Sequence, residues 1–356
     1  MVRVGLRAFL NPAVRRDAEF RGLFTDHDYR EVHTYFASHP ELPPAPLRSL
    51  SGLAADLGVA KVDAKDETFR FGLNAFKIIG VRYAVHRLGD DAARRGLVCA
   101  TAGNHGRAVA RVARQKGVPC TVFIPTGGSP RIDAMRADGA TVVEVQGTYE
   151  EAVRLAAEHG LATGATIVSD TSWQGYEEIP RWIMAGYTQI FEEAHAQWNS
   201  PPTVVLVQGG VGGLVCAAAS WFAWRFAERR PYLIACEPES AACLMDSARA
   251  GAATLAQGDL STIMACLRCA EPSAAAWPTI AAGIDAFMTV SDQEALQAVR
   301  ILAAGDGPEH MHAGVSGACG LAALTALVSS SAFGDIRRAS GLDRASRAFI
   351  IVSEGA

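Results

Sequence analysis

Residues 97–167 repeat one pattern: a short apolar run, then a longer Ala- and Arg-rich stretch with helical spacing. LVCAT, RAVARVARQKG, CTVFIP, RIDAMRADG, TVVEVQ and YEEAVRLAAEHG follow one another without a long break. Short strands alternating with helix-length segments are what βαβ units require, because neighbouring parallel strands must be joined by a crossover. Outside that block, VVLVQ, YLIACEP, AFMTV and AFIIVSE supply strands for a second, larger sheet. They lack polar alternation, as strands covered on both faces do. The expected fold is α/β, with two open, twisted lobes and a ligand cleft between them. The large lobe would take 1–91 and 171–356, and the small inserted lobe 92–170. A chain of 356 residues is long enough for both cores.

Open α/β sheets bind ligands at the C-terminal ends of their strands, and three motifs fall at such ends. TAGNHG, residues 101–106, lies between an apolar run and a helical pattern. Backbone N–H groups at that turn can hold an anion, and the Asn104 amide can bond a phenolic oxygen. QGGVGG, residues 208–213, follows TVVLV and precedes an apolar helix. Gly209, Gly210, Gly212 and Gly213 around Val211 let the backbone approach a phosphate closely. This is not a dinucleotide fingerprint: the helix-packing glycine is missing, and no acidic residue is placed for a ribose. IIVSEG brings the Ser353 hydroxyl to a strand tip, where it can bond an unprotonated ring nitrogen.

The remaining feature is KDETFRFGLNAFKIIG, residues 65–80. Lys77 has Phe71, Leu73, Phe76, Ile78 and Ile79 as sequence neighbours. A lysine walled in by such groups pays a desolvation penalty on its charge, and a neutral ε-amine forms a Schiff base with an aldehyde. The bland alternative is a lysine snorkelling from a half-buried helix. Lysine, phenolic-oxygen donor, phosphate cradle and ring-nitrogen hydroxyl in one chain together describe a site for pyridoxal 5'-phosphate.

On these motifs the chain resembles the fold-type II pyridoxal-phosphate enzymes, and within them the diaminopropionate ammonia-lyase family. KDETFRFGLNAFK, TAGNHGRAVA, SDTSWQGYEEIPRWIMAGY, GGVGG, ACEP, STIMACLRCAEPSAAAW, AGVSGACGL and VSEG carry the likeness across nearly the whole chain. The resemblance implies that Lys77 is the Schiff-base lysine and Asp170 the acid/base residue for an L-configured substrate. It places Phe76, Asn104, the loop 209–213 and Ser353 around the cofactor. Thr101, Ala102, His105, Tyr176, Val315 and Ser316 would lie nearest the substrate. The implied reaction is α,β-elimination of ammonia from L-2,3-diaminopropionate or a close analogue, giving pyruvate and ammonia through an aminoacrylate. The alternative is a serine/threonine dehydratase or a β-replacement synthase using the same aminoacrylate.

Two departures stand beside the matches. Where the family has aspartate in DGNHG, thought to deprotonate the D-isomer, this chain has Ala102; where it has glutamate before the serine of the AGVSGACG block, this chain has Val315. Cys266 and Arg268 also replace small residues in TIMACLRCAEPS. The cofactor shell is kept better than the substrate shell, and activity on the L-isomer with little on the D-isomer is expected.

The residues alone leave bland roles open. Asp170 in SDTS has the composition of a helix N-cap, His105 fits behind the cofactor ring, and Trp173, Tyr176 and Trp182 fit aromatic packing. Cys266 and Cys269 form CxxC without a second pair, and His310 and His312 lack a third ligand, so no metal is expected. A net charge of -4 with no basic run gives no sign of nucleic acid. The first residues lack a signal-peptide pattern, the apolar segment 203–227 is broken by glycines, and eight cysteines sit mostly in apolar stretches. A cytoplasmic protein without membrane partner is expected, and, by analogy with fold relatives, a homodimer.

Overall fold

The computed structural model describes residues 7–101, 103–126, 131–305 and 307–356. Its strands are β1 (Ala8–Leu10), β2 (Leu47–Ser49), β3 (Lys61–Asp66), β4 (Leu97–Ala100), β5 (Cys120–Pro125), β6 (Thr141–Val145), β7 (Thr166–Ile167), β8 (Val204–Gln208), β9 (Tyr232–Pro238), β10 (Ala286–Val290) and β11 (Arg347–Val352). Contacts divide the chain into two units: one runs to Phe69 and resumes at Thr188, and the other is Arg70–Tyr187.

The first unit holds a seven-stranded sheet in the order β1-β10-β9-β8-β11-β3-β2. Its inner pairings are parallel, and only the three-residue edges β1 and β2 run antiparallel. The apolar runs read from the sequence are those inner strands: every residue of β8 and β10 is buried. Val62, Leu206, Ile234 and Ile350 of the sheet form one core with Leu321 and Leu324 of the helix Cys319–Ser329. The apolar segment after residue 203 resolves into β8, a glycine loop and the helix Gly213–Phe226. Among the described residues no single helix is long and apolar enough to cross a membrane. The opening segment holds the helix Asp26–Ala37, started by a capping box in which Thr25 and Asp28 satisfy each other's backbone N–H.

The second unit is the repeated block. Its four strands lie in the order β6-β5-β4-β7, all parallel, with the helices Asn104–Lys116, Ile132–Ala137 and Tyr149–Thr163 between them in sequence. Val98, Phe123, Val145, Ala152 and Ala156 form a small core of their own. The expected bounds of 92 and 170 are too narrow, because two helices without βαβ signature belong here. Lys77–Ala93 packs on Asn104–Lys116. Gly80 also meets the first half of Glu178–Gln197 so closely that an added Cβ would lie 2.5 Å from the Ile183 carbonyl oxygen. The lysine picked out by sequence therefore belongs to the smaller unit.

Candidate active site

In the smaller unit the backbone first makes a tight reversal. Arg70 and Leu73 exchange backbone hydrogen bonds of 2.6 and 2.9 Å, and the residues between them, Phe71 and Gly72, have φ of 49° and 82°. Positive φ at both central positions is the pattern of a type I′ turn. Arg111 donates to the Gly72 carbonyl at 3.3 Å, tying the turn to the helix Asn104–Lys116. A few residues on, Lys77 opens the helix Lys77–Ala93. A cation there meets the positive end of the helix dipole, and Asp170 compensates. Lys77 Nζ lies 2.6 Å from Asp170 Oδ2, and 5.3 and 5.6 Å from the ring centroids of Phe76 and Tyr187. The side chains of Lys77 and Asp170 are 22% and 18% exposed. Ile78 and Ile79, expected as walls, are fully buried in the helix packing instead.

Asp170 caps no helix; the next one begins at Glu178. Its loop is fixed by two side chains. The Tyr176 hydroxyl donates to the Ile167 carbonyl and accepts from the Ser169 N–H, both at 2.9 Å. His105 Nε2 lies 2.8 Å from the carbonyl of Val168. Tyr176 also stacks on Trp173 at 4.2 Å, so the aromatic pair buckles the Asp170 loop. Burial alone would push the Asp170 carboxyl up, but the charges of protonated His105 and of Lys77, with the Lys77 hydrogen bond, hold it below the ordinary carboxylate range. His105 is itself pushed down by burial, so near neutrality its ring is uncharged and Lys77 carries the effect. Thr101 follows β4, and its hydroxyl accepts from the Gly103 N–H at 3.1 Å. Asn104 starts its helix and accepts from Arg131 Nε at 2.8 Å. Ala102 lies outside the described residues.

The other expected residues gather in the larger unit. Ser353 follows β11, and its hydroxyl accepts from Gln208 Nε2, at the end of β8, at 2.7 Å. Gln208 is held by the Ile351 carbonyl at 2.9 Å, so Ser353 keeps its own proton to donate elsewhere. In the loop that follows, the Gly209 N–H donates to the Cys236 carbonyl at 2.8 Å. Among the described residues no acceptor is found for the N–H groups of Gly210, Val211, Gly212 and Gly213. Gly212 has φ of 97°, and an added Cβ would lie 2.4 Å from Ile280 Cδ1, so glycine is required there. Beneath the loop, fully buried Glu237 accepts from the Leu244 and Met245 N–H groups at 2.8 and 2.9 Å, and burial pushes its carboxyl up to about 8. Val315 packs against the sheet core. Ser316 accepts from the Cys266 N–H at 3.2 Å, and the Cys266 thiol donates to Glu354 Oε2 at 3.0 Å.

The expected residues thus form two groups, one in each unit. A family described as pyridoxal-phosphate dependent enzymes matches residues 40–339. The diaminopropionate ammonia-lyase of Salmonella typhimurium is 36% identical over 91% of this chain and 88% of its own length. The chain belongs to the diaminopropionate ammonia-lyase family of pyridoxal-phosphate-dependent enzymes. The Escherichia coli K12 member is 33% identical over 84% of this chain and 80% of its own. A crystal structure of the Escherichia coli enzyme, in complex with an aminoacrylate–PLP azomethine reaction intermediate, has a TM-score of 0.89 at 30% identity. It covers 98% of this chain and 93% of that one. Maize serine racemase, with a TM-score of 0.80 at 23% identity, shares the fold.

The residues present fit the cofactor that defines this family. Four successive N–H groups without an acceptor among the described residues, at the start of the helix Gly213–Phe226, are what a phosphate needs. A serine hydroxyl that already accepts one bond can donate to an unprotonated ring nitrogen. Lys77 carries an amine at hydrogen-bond distance from a carboxylate. Three parts of the lyase site were not legible as such. Gln208 holds Ser353 across 145 positions and Arg131 holds Asn104 across 27, with no local spacing to reveal either. Tyr176, expected beside the substrate, bonds through its hydroxyl to the backbone of the Asp170 loop.

Proposed function

We propose that this protein eliminates ammonia from L-2,3-diaminopropionate or a close analogue, releasing pyruvate and ammonia. The observation that carries the reading is the 2.6 Å pair of Lys77 and Asp170, an amine for the cofactor and a base beside it. The diaminopropionate ammonia-lyases that match over most of the chain support the substrate. Lys77, Phe76, Asn104, the 209–213 loop and Ser353 would hold pyridoxal phosphate. Bound there, the cofactor supplies an aldehyde for an amine and a ring that takes up an electron pair.

This chain's own residues do the rest. Lys77 would supply the amine that holds the cofactor's aldehyde. Asp170, held below the ordinary carboxylate range, is ionised at neutral pH and accepts the α-proton. The same negative charge favours a substrate whose β-substituent is an amine rather than a hydroxyl. Threonine dehydratases are more distant, the Mycobacterium leprae protein matching at 30% over 60% of this chain and 48% of its own length, so dehydration is the secondary reading.

The protein is proposed to work as a homodimer in the cytoplasm. Its eight cysteines, all free thiols with six of them buried, suit a reducing compartment. The test is a panel of amino acids, each as both enantiomers, scored for pyruvate and ammonia. Release from L-2,3-diaminopropionate well above that from serine and threonine is expected. Faster release from a hydroxy amino acid, or comparable rates on both enantiomers, would overturn the reading.

A further inference from the structure

His105 sits in the first turn of the helix Asn104–Lys116, 4% exposed. Its Nε2 faces the Val168 carbonyl at 2.8 Å. A carbonyl only accepts, so the ring hydrogen belongs on Nε2, and in the neutral ring Nδ1 carries a bare lone pair. That Nδ1 is buried, has no hydrogen-bond partner among the described residues, and lies 3.8 Å from Asp170 Oδ2. Two acceptors therefore face each other, and the arrangement is satisfied only when a proton comes between them. Lys77 Nζ approaches the same Oδ2 at 2.6 Å, so one carboxylate oxygen stands between an amine and an imidazole.

The tautomer is locked from outside. Turning the ring over would aim a bare nitrogen at the Val168 carbonyl, and Tyr176 holds the backbone on both sides of that carbonyl. Cys99, Tyr176 and Tyr187 also face Asp170, and burial pushes all three up, leaving them neutral. Lys77 is then the other charge at the pair.

We infer that His105 is the positioning residue of the Asp170 base, its bare Nδ1 receiving the proton that the carboxylate collects. The inference rests on the elimination proposed above. As the substrate Cα–H bond breaks, its electron pair stays with carbon and an O–H bond forms on Oδ2. With a proton between them the pair closes from 3.8 Å to hydrogen-bond distance, that O–H donates to Nδ1, and complete transfer leaves an imidazolium bonded to both Val168 and a restored carboxylate. When the Cβ–N bond breaks, its pair goes to nitrogen, and the ammonia released takes the proton back through Asp170 and leaves as ammonium. Both groups end as they began. A base whose conjugate acid has a waiting acceptor forms that acid more readily.

The experiment is 15N NMR of the histidine-labelled resting holoenzyme, His105 being assigned by loss of its signals in His105→Gln. A bare Nδ1 and a protonated Nε2 are expected across neutral pH; a protonated Nδ1 in an enzyme that still eliminates ammonia overturns the inference and leaves the function standing. His105→Gln keeps a donor for Val168 but has no Nδ1 acceptor. Its kcat should fall about tenfold to a hundredfold with KM within about threefold, and the isotope effect on α-deuterated substrate should rise. Unchanged kcat and isotope effect would also overturn it. Should that variant not hold cofactor, the wild-type NMR assignment, made instead from His105→Asn, still decides. Absence of lyase activity in the wild type would sink the proposed function without touching the tautomer.

Discussion

Asp170→Asn is the sharpest single perturbation, because it keeps the shape of the side chain and removes only the charge. In the folded protein the carboxylate is 2.6 Å from Lys77 Nζ, with both side chains less than a quarter exposed. Losing a positioned general base costs about 10²- to 10⁴-fold in kcat, or about 2.7 to 5.4 kcal/mol at ~1.36 kcal/mol per decade. The amide oxygen still accepts from Lys77, so the loss of stability should fall near the lower end of the ~1.5–3 kcal/mol of a charge-assisted hydrogen bond. Because the Asp170 carboxyl is held low in the fold, its contribution is present above the unfolded value of about 3.9 and is lost as pH falls below it. The variant's deficit should therefore shrink in acid. Pyruvate release from L-2,3-diaminopropionate gives kcat, the visible absorbance shows whether cofactor is still held, and thermal melts across pH give stability. A kcat within about threefold of wild type, with cofactor bound, would refute the assignment and leave Lys77 as the base.

Three further outcomes are expected. Ala102→Asp, which restores the family's carboxylate, should raise the rate on D-2,3-diaminopropionate at least tenfold by the usual contribution of a general base; an unchanged ratio of D to L rates would contradict this. Gly212→Ala places a Cβ 2.4 Å from Ile280 Cδ1 at φ of 97°, which should cost about 2–5 kcal/mol of stability and weaken cofactor binding. A melt and a cofactor titration both unchanged would count against the glycine loop. Glu237, raised to about 8 in the fold from about 4.3 unfolded, binds its proton more tightly when folded. Its stabilising contribution is complete below about 4.3 and is lost as pH rises through about 8. Glu237→Gln should therefore gain on wild type over that window, and a pH-independent difference in melting temperature would refute it.

Periodicity carried most of the fold. The strands β4, β5 and β8 to β11 coincide with the apolar runs, since a strand covered on both faces can hold little else; β6, a half-exposed edge strand, was legible from its place within the repeat. The boundary of the smaller unit was not legible, because Gly80 and Gly186 bring two helices together from positions more than a hundred residues apart. Local order also misled about Lys77. Successive helical residues point about 100° apart, so Ile78 and Ile79 turn away from the amine. Phe71 turns to the Arg70 guanidinium at 4.3 Å. Of the expected neighbours Phe76 does face the lysine, joined by the ring of Tyr187 and a carboxylate 93 positions downstream. Short motifs named the groups proposed to hold the cofactor, while the side chains that orient those groups, Gln208, Arg131 and Tyr176, required the fold.

Reduction of the cofactor-loaded protein with borohydride, followed by peptide mass spectrometry, tests the central claim most directly. A stable pyridoxyl-phosphate adduct on Lys77, and on no other lysine, is the result predicted. An unmodified Lys77, or an adduct on a different lysine such as the buried Lys65, would contradict the account.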